Sequence, residues 1–272
     1  MKDKIIAIDL GGTNLRVSLV KGKRVLKYIK SPTPKTKDKL LKLMVSMISQ
    51  LLTKDVRAIG VASPGPLKDG IIKNPPNLPL RNFDLRKFLR KKFKRMVVIG
   101  NDADAVAMSE AKFGVKKKNF IILTLGTGIG GGVIINGKLF KGEGYAGELG
   151  NIIIDNGKTM EELWQKNRKD CKVCFGKQLK IKDLLAKKDK KAKKLLNEAS
   201  IYLGQGIASL VNVFDPEVIV LMGGARETGN KFLKMIEKQA NEYTLLPKKV
   251  KIQWSKIPHP GVLGASLLVS KK

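Results

Sequence analysis

Histidine is almost absent from this chain of 272 residues, with His259 the only one. A histidine base or a cluster of imidazole ligands is therefore confined to one position, and a general base elsewhere has to be a carboxylate or another side chain. Cysteine is nearly as scarce. Cys171 and Cys174 form a single C-x-x-C pair in a lysine-rich stretch, half of a tetrahedral metal site without its second half. No apolar run is long enough to cross a bilayer, and strand-like residues begin within four positions of the start. A signal peptide is thus not expected, and the cytoplasm is the expected compartment. Acids are few too: 23 Asp and Glu against 54 Lys and Arg, a net charge of +31. Such a surface attracts polyanions. Yet the 45 lysines are spread along the whole chain, and no helix-turn-helix, zinc finger or aromatic-interleaved basic groove is legible, so specific nucleic-acid binding is not expected.

What the chain does have is glycine where apolar runs end. Ile121 to Gly132, IILTLGTGIGGG, satisfies G-x-G-x-x-G at Gly126, Gly128 and Gly131, which would suggest a dinucleotide site if a helix followed. Instead Val133 to Ile135 is β-branched, Asn136-Gly137 is a hairpin signal, and Lys138 to Phe140 reads as a return strand. Glycines between two strands can still present backbone N–H groups to a phosphate. The same construction appears at the start, where Ile5 to Ile8 runs into Asp9-Leu10-Gly11-Gly12-Thr13-Asn14-Leu15-Arg16. An aspartate at such a strand end suits a phosphate and Mg²⁺ site, holding the ion through water. A third strand ends in Met222-Gly223-Gly224-Ala225.

Between the first two turns, apolar spacing predicts a helix over 38–52 and a basic amphipathic helix over 84–94. The strand Met96 to Ile99 then leads through Gly100-Asn101-Asp102 into a helix over 103–113. Asp102 is either an N-cap or a carboxylate held at an open sheet edge, where ligands of α/β folds bind. The proline-rich loop Asn74 to Pro79 carries two amides able to meet hydroxyls. After the second turn, four glycines surround Glu148, Ile152 to Ile154 reads as a strand, and Thr159 with Glu162 fits a capping box for a helix through Asn167. Lys172 to Lys194 reads as exposed, and the segment from about Lys190 to Phe214 as a central helix.

Taken in order, these features resemble the ROK family of sugar kinases over nearly the whole chain. The matching stretches are Asp9 to Arg16, Pro64-Gly65-Pro66, Pro76-Asn77-Leu78-Pro79, Asn101-Asp102-Ala103, Leu125 to Gly132, Gly147-Glu148-Leu149-Gly150 and Gly223-Gly224. The resemblance implies an α/β chain with the two-lobed, ribonuclease H-like or actin-like ATPase fold built from duplicated mixed-sheet units. One lobe is expected over 1–112 plus 260–272 and the other over 113–259. It implies an ATP- and Mg²⁺-dependent kinase acting on a hexose hydroxyl, that of the 6-position of glucose or a relative. Asp102 is the implied general base, with Asn77, Asn101, Glu148, Asn151 and Glu161 on the sugar. Asp9, Gly11, Gly12, Thr13, Gly126, Thr127, Gly128, Gly223 and Gly224 are implied around the nucleotide, with Asp9 as the Mg²⁺ partner. A homodimer is expected, and no membrane partner. Two departures stand out: Asn151 occupies the place of a family histidine, and Ile152 to Thr159 replaces a cysteine-rich zinc segment, so no structural zinc is expected. Polyphosphate-dependent glucokinases are similar too, with Asn101 to Ala105 resembling their version of the motif. That similarity leaves polyphosphate as an alternative donor, and because the family also includes repressors, a non-catalytic sugar-binding regulator is an alternative role.

Overall fold

The computed structural model describes residues 3–65, 67, 68, 70–75 and 77–269, so Pro66 and Pro76 lie outside the described residues. The chain divides into two compact units, Met1–Gly114 with Ile257–Lys272, and Val115–Lys256.

In the first unit β1 (Lys4–Leu10), β2 (Asn14–Lys21) and β3 (Arg24–Pro32) form an antiparallel meander. Helix α1 (Lys37–Leu51) crosses over, and β4 (Val56–Ser63) returns parallel to β1. Short strands β5 (Leu67–Lys68), β6 (Ile71–Ile72) and β7 (Phe83–Asp84) make a separate ribbon before α2 (Leu85–Phe93). Then β8 (Met96–Asn101) pairs parallel with β4, and α3 (Asp102–Phe113) leaves its end. The five-stranded sheet has the order β3-β2-β1-β4-β8. Its central strands are covered on both faces, which is why Ile5 to Ile8 and Ala58 to Ala62 are unbroken apolar runs. On one face α1 lays down Leu40, Leu41, Met44, Met47, Ile48 and Leu51 at helical spacing, each worth about 1.5–3 kcal/mol of burial. The opposite face carries the C-terminal helix, Pro260–Leu268. It lies directly on the strands because a side chain at Gly60 would strike the carbonyl of Ala265, and one at Gly100 would strike Leu268.

The second unit repeats the plan. Strands β9 (Phe120–Leu125), β10 (Ile129–Ile135) and β11 (Lys138–Leu139) form the meander. A single 3₁₀ turn, Leu149–Asn151, leads into the hairpin β12 (Ile153–Asp155) and β13 (Lys158–Thr159). Helices α4 (Met160–Phe175), α5 (Ile181–Ala186) and α6 (Lys190–Phe214) follow. Strand β14 (Val218–Gly223) pairs parallel with β9, and α7 (Asn230–Glu242) leads to β15 (Ile252–Trp254), parallel to β14. The order β11-β10-β9-β14-β15 matches the first sheet strand for strand.

Two local expectations are revised. The helix expected to end at Asn167 continues to Phe175, because Leu163, Trp164, Asn167 and Cys171 keep one buried stripe until Gly176 turns left-handed at φ 68°. The stretch Lys172 to Lys194, read as exposed, therefore holds the last turn of α4, and α5 with Leu184 in the core.

Candidate active site

In the first unit the C-terminal edge of the sheet gathers most of the candidate residues. Asp9 pairs across to Arg16 on β2 and Ala62 on β4, and Ser63 lies beside Asn101 on β8. The Arg16 guanidinium Nη1 donates to Asp9 Oδ2 at 2.8 Å. Burial raises the Asp9 carboxyl above its usual range, with the Arg16 charge and hydrogen bond opposing it. A side chain on Gly261, in the first turn of the C-terminal helix, would meet Asp9 Oδ2 at 2.5 Å, so this glycine lets the helix end close over the carboxylate.

The turn that follows is fixed by its own backbone and by Thr33, the residue after β3. The Gly11 N–H donates to the Asn14 carbonyl at 3.0 Å, the Thr33 N–H to the Thr13 carbonyl at 3.0 Å, and the Thr33 hydroxyl to the Gly11 carbonyl at 2.6 Å. Asn77 is brought to the same turn, since a Cβ on Gly12 would lie 2.6 Å from Asn77 Cβ. Farther along the edge Asn101 caps α3, its side-chain oxygen accepting from the Asp104 N–H at 3.0 Å. Its Nδ2 sits 3.6 Å from where a Cβ on Gly65 would be. Asp102 occupies the first helical position, with Oδ1 accepting from the Ala103 N–H at 2.8 Å. It is half-buried, and the helix N-terminus favours negative charge there.

In the second unit Gly126, Thr127 and Gly128 link β9 to β10, with the Gly126 N–H donating to the Gly128 carbonyl at 2.9 Å. Gly223, opposite Leu125 in the parallel register, ends β14 beside that turn. Its φ of 125° and the Leu125 carbonyl in the Cβ position leave room only for glycine. Gly224 faces open space.

The loop carrying Glu148 folds onto β10. Gly131 has Leu149 in its Cβ position at 2.7 Å, and a Cβ on Gly150 would strike the carbonyl of Ile129. Glu148 and Asn151 come together at the surface, Asn151 Nδ2 donating to Glu148 Oε2 at 3.4 Å.

Glu161 is held on the other side of Ile129. Its Oε2 accepts from the Ile129 N–H at 2.6 Å, and its Oε1 from Gln165 Nε2 at 3.0 Å. One helical turn on, Trp164 Nε1 donates to the Gly126 carbonyl at 3.1 Å. Both oxygens of this expected sugar ligand are thus bonded within the glycine turn and its supporting helix. Trp164, Gln165, Thr33 and Gly261 were not singled out by sequence. The available signal was the i, i+3, i+4 spacing of Glu161, Trp164 and Gln165, which puts all three on one helix face.

A structural zinc does not fit these residues. Cys171 is buried with its Sγ accepting from the Leu179 N–H at 3.4 Å, while Cys174 is exposed. Among the described residues no group of three or more His, Cys, Asp or Glu could hold a metal ion. The segment replacing the cysteine-rich one is a hairpin turned by Asn156 and Gly157, both at positive φ. Magnesium asks for less, one or two carboxylates with phosphates and waters completing its shell, and Asp9 beside the Gly11–Thr13 turn fits that role. The most depressed acid, Glu217 at about 2, accepts from the Asn119 N–H, Lys117 and the Lys118 N–H. It stands at the opposite end of β14 from the glycine turns and is structural. Among the described residues no helix is long and apolar enough to cross a membrane.

The model of the ROK family matches residues 5–272. The chain belongs to the ROK family. It is 28% identical to the glucokinase of Halalkalibacterium halodurans, over 88% of this chain and 86% of that protein. It is 31% identical to the xylose repressor of Bacillus spizizenii, over 82% of this chain and 66% of that protein. The crystal structure of the ROK hexokinase from Thermus thermophilus superposes with a TM-score of 0.83 at 29% identity, covering 99% of this chain and 100% of that one. The fold is accordingly the actin-like ATPase fold of the ROK sugar kinases. Family membership spans both glucokinases and repressors, so the activity of this chain has to be argued from its residues.

Proposed function

We propose that this chain is a hexose kinase that uses ATP and Mg²⁺ to phosphorylate the 6-hydroxyl of glucose or a related hexose, with Asp102 as the general base. The observation that carries the reading is Asp102 at the start of α3, on the same sheet edge as Asp9 and the Gly11–Thr13 turn. In the proposed step its carboxylate takes the hydroxyl proton as the sugar oxygen attacks the γ-phosphorus. The bond from that phosphorus to the β-phosphate oxygen breaks, and ADP leaves. Asn77, Asn101, Glu148 and Asn151 offer amide donors and carboxylate acceptors suited to a polyol. The glycine turns at 11–13, 126–128 and 223–224 offer backbone N–H groups for the donor. Mg²⁺ held through water by Asp9 would neutralise charge on the transferring phosphoryl group.

The identity to a xylose repressor supports a second reading, a sugar-binding regulator without transfer. The presence of both Asp9 and Asp102 favours the kinase. The deciding experiment is a donor-by-sugar matrix on purified protein, reading phosphorylated sugar with ATP or polyphosphate against glucose, mannose and N-acetylhexosamines. The expected result is hexose 6-phosphate with Mg-ATP. Turnover with polyphosphate alone would overturn the donor, and sugar binding without transfer from any donor would overturn the kinase.

A further inference from the structure

We propose that Lys35 binds the donor's terminal phosphates at the Gly11–Thr13 turn. This rests on reading that turn as a phosphate turn of a kinase, and it adds a cation from outside the family motifs.

Lys35 is exposed, in the segment that joins β3 to α1, yet the chain leading to it is fixed. Thr33, two positions earlier, is bonded to the turn twice, its N–H donating to the Thr13 carbonyl and its hydroxyl to the Gly11 carbonyl. Pro34 follows. Its ring locks its own φ and keeps the residue before it extended. The lysine stem therefore starts beside the turn, and its Nζ reaches the Gly12 carbonyl at 3.5 Å. Lys37, two residues on, is turned elsewhere, its Nζ 4.3 Å from the centre of the Phe83 ring. Reach to the turn is thus a property of position 35 and not of this lysine-rich segment as a whole.

Charge gives the position its chemistry. Arg16 is already paired with Asp9 at 2.8 Å, whereas Lys35 has no acidic partner among the described residues. A 3.5 Å contact to a neutral carbonyl is at the long limit of hydrogen bonding, so the ammonium has donors left to give. Phosphate oxygens would take them at about 2.8 Å, as charge-assisted bonds roughly twice as strong as neutral ones. Gly12 is also where the turn meets the loop carrying Asn77, since a Cβ on Gly12 would lie 2.6 Å from Asn77 Cβ. With Asn77 expected on the sugar, an ammonium at Gly12 stands on the acceptor side of the turn. The terminal phosphates are the end of the donor that has to come nearest the sugar, and they are what Lys35 meets.

With a net charge of +31, attraction by the whole surface also draws in polyanions, and the test separates that from contact. Wild type is compared with Lys35→Met, Lys35→Arg and Lys39→Met, the last removing the same charge from an exposed position on α1. Calorimetry reads the binding of tripolyphosphate and of glucose, and steady-state rates read kcat/KM for Mg-ATP. Lys35→Met is expected to weaken tripolyphosphate and to lower kcat/KM for Mg-ATP by about 10- to 100-fold, the loss of charged hydrogen bonds. Lys35→Arg keeps the charge and is expected to recover to within about fivefold. Lys39→Met is expected to stay within about twofold of wild type, and glucose affinity to hold in all. Wild-type behaviour of Lys35→Met would overturn the proposal. An equal loss in Lys39→Met would assign the effect to the surface as a whole and overturn it too. Lost glucose affinity with unchanged tripolyphosphate affinity would make Lys35 an acceptor residue, with the same result. If wild type transfers no phosphate yet binds tripolyphosphate through Lys35, the kinase reading fails and the phosphate site stands. If it binds no tripolyphosphate, the phosphate site fails.

Discussion

The two units answer the same structural question differently. Each has a sheet of one strand order, in which the first strand turns through glycines into the second and pairs parallel with the fourth. In register, Asp9 on β1 corresponds to Thr124 on β9, and Arg16 opposite it corresponds to Gly130. The first unit thus writes its acid into the strand and balances it with an arginine on the neighbouring strand. The second has an uncharged strand end and borrows a carboxylate from a helix 32 residues downstream in the Ile129–Glu161 contact. The strand-borne acid sits at the sheet edge between Arg16 and the first turn of the C-terminal helix. The helix-borne acid is instead bonded to the first amide after its turn and to a neighbour on its own helix. Duplicate architecture therefore leaves room for one half to carry chemistry and the other to carry geometry.

The largest effect separating the halves is expected at Asp102. Asp102→Asn keeps the size of the side chain and the start of α3 but removes the base. Phosphorylation should fall by at least about 10²-fold, with sugar affinity retained in a binding titration. An unaffected rate would take the chemistry away from the first unit.

A transplant sharpens the comparison next. Thr124→Asp puts an acid where the first unit has Asp9, but opposite Gly130 instead of an arginine. With Glu161 already charged near that turn, the second carboxylate should weaken the phosphate donor by at least about tenfold through like-charge repulsion. Glucose affinity should be untouched; donor KM measured against ionic strength reads the repulsion, and a glucose titration reads the acceptor.

The smallest effect is on stability. Burial raises the folded-state pKa of Asp9 above the usual carboxylate range, more than Arg16 lowers it. Between the unfolded and folded values the folded chain binds more protons, so stability falls as pH rises through that window. Ionised Asp9 therefore costs stability at neutral pH. Asp9→Asn should raise Tm slightly at pH 7, and the gain should shrink to nothing as pH drops toward the unfolded value. A gain independent of pH would point to packing against Gly261 as its source.

Much of this was legible in the sequence because the informative signals are local. Glycines at the ends of apolar runs marked the turns at 11, 126 and 223, Asn101-Asp102 marked a strand-to-helix junction, and β-branched residues after Gly132 excluded a Rossmann helix. What stayed hidden depends on contacts far apart in the chain. Glu161 had the right spacing for a helix face, but nothing local said that the face would meet Ile129. Gly12 against Asn77 and Gly261 against Asp9 are likewise set by how sheets and helices stack. The true length of α4 was missed because its lysine-rich second half masks a buried stripe ending in Cys171.

The C-terminal helix has a consequence for how the molecule is made. Pro260–Leu268 belongs to the first unit, yet Val115–Lys256 lies between it and the rest of that unit. During synthesis from the N-terminus the second unit has all its strands and helices before the first does. Until the last segment emerges, Gly60 and Gly100 lack the helix that covers them, and Asp9 lacks the wall supplied by Gly261. The half of the protein proposed to carry the chemistry is the half that finishes folding last, and a chain cut between residues 256 and 260 would hold a complete second unit and an unfinished first.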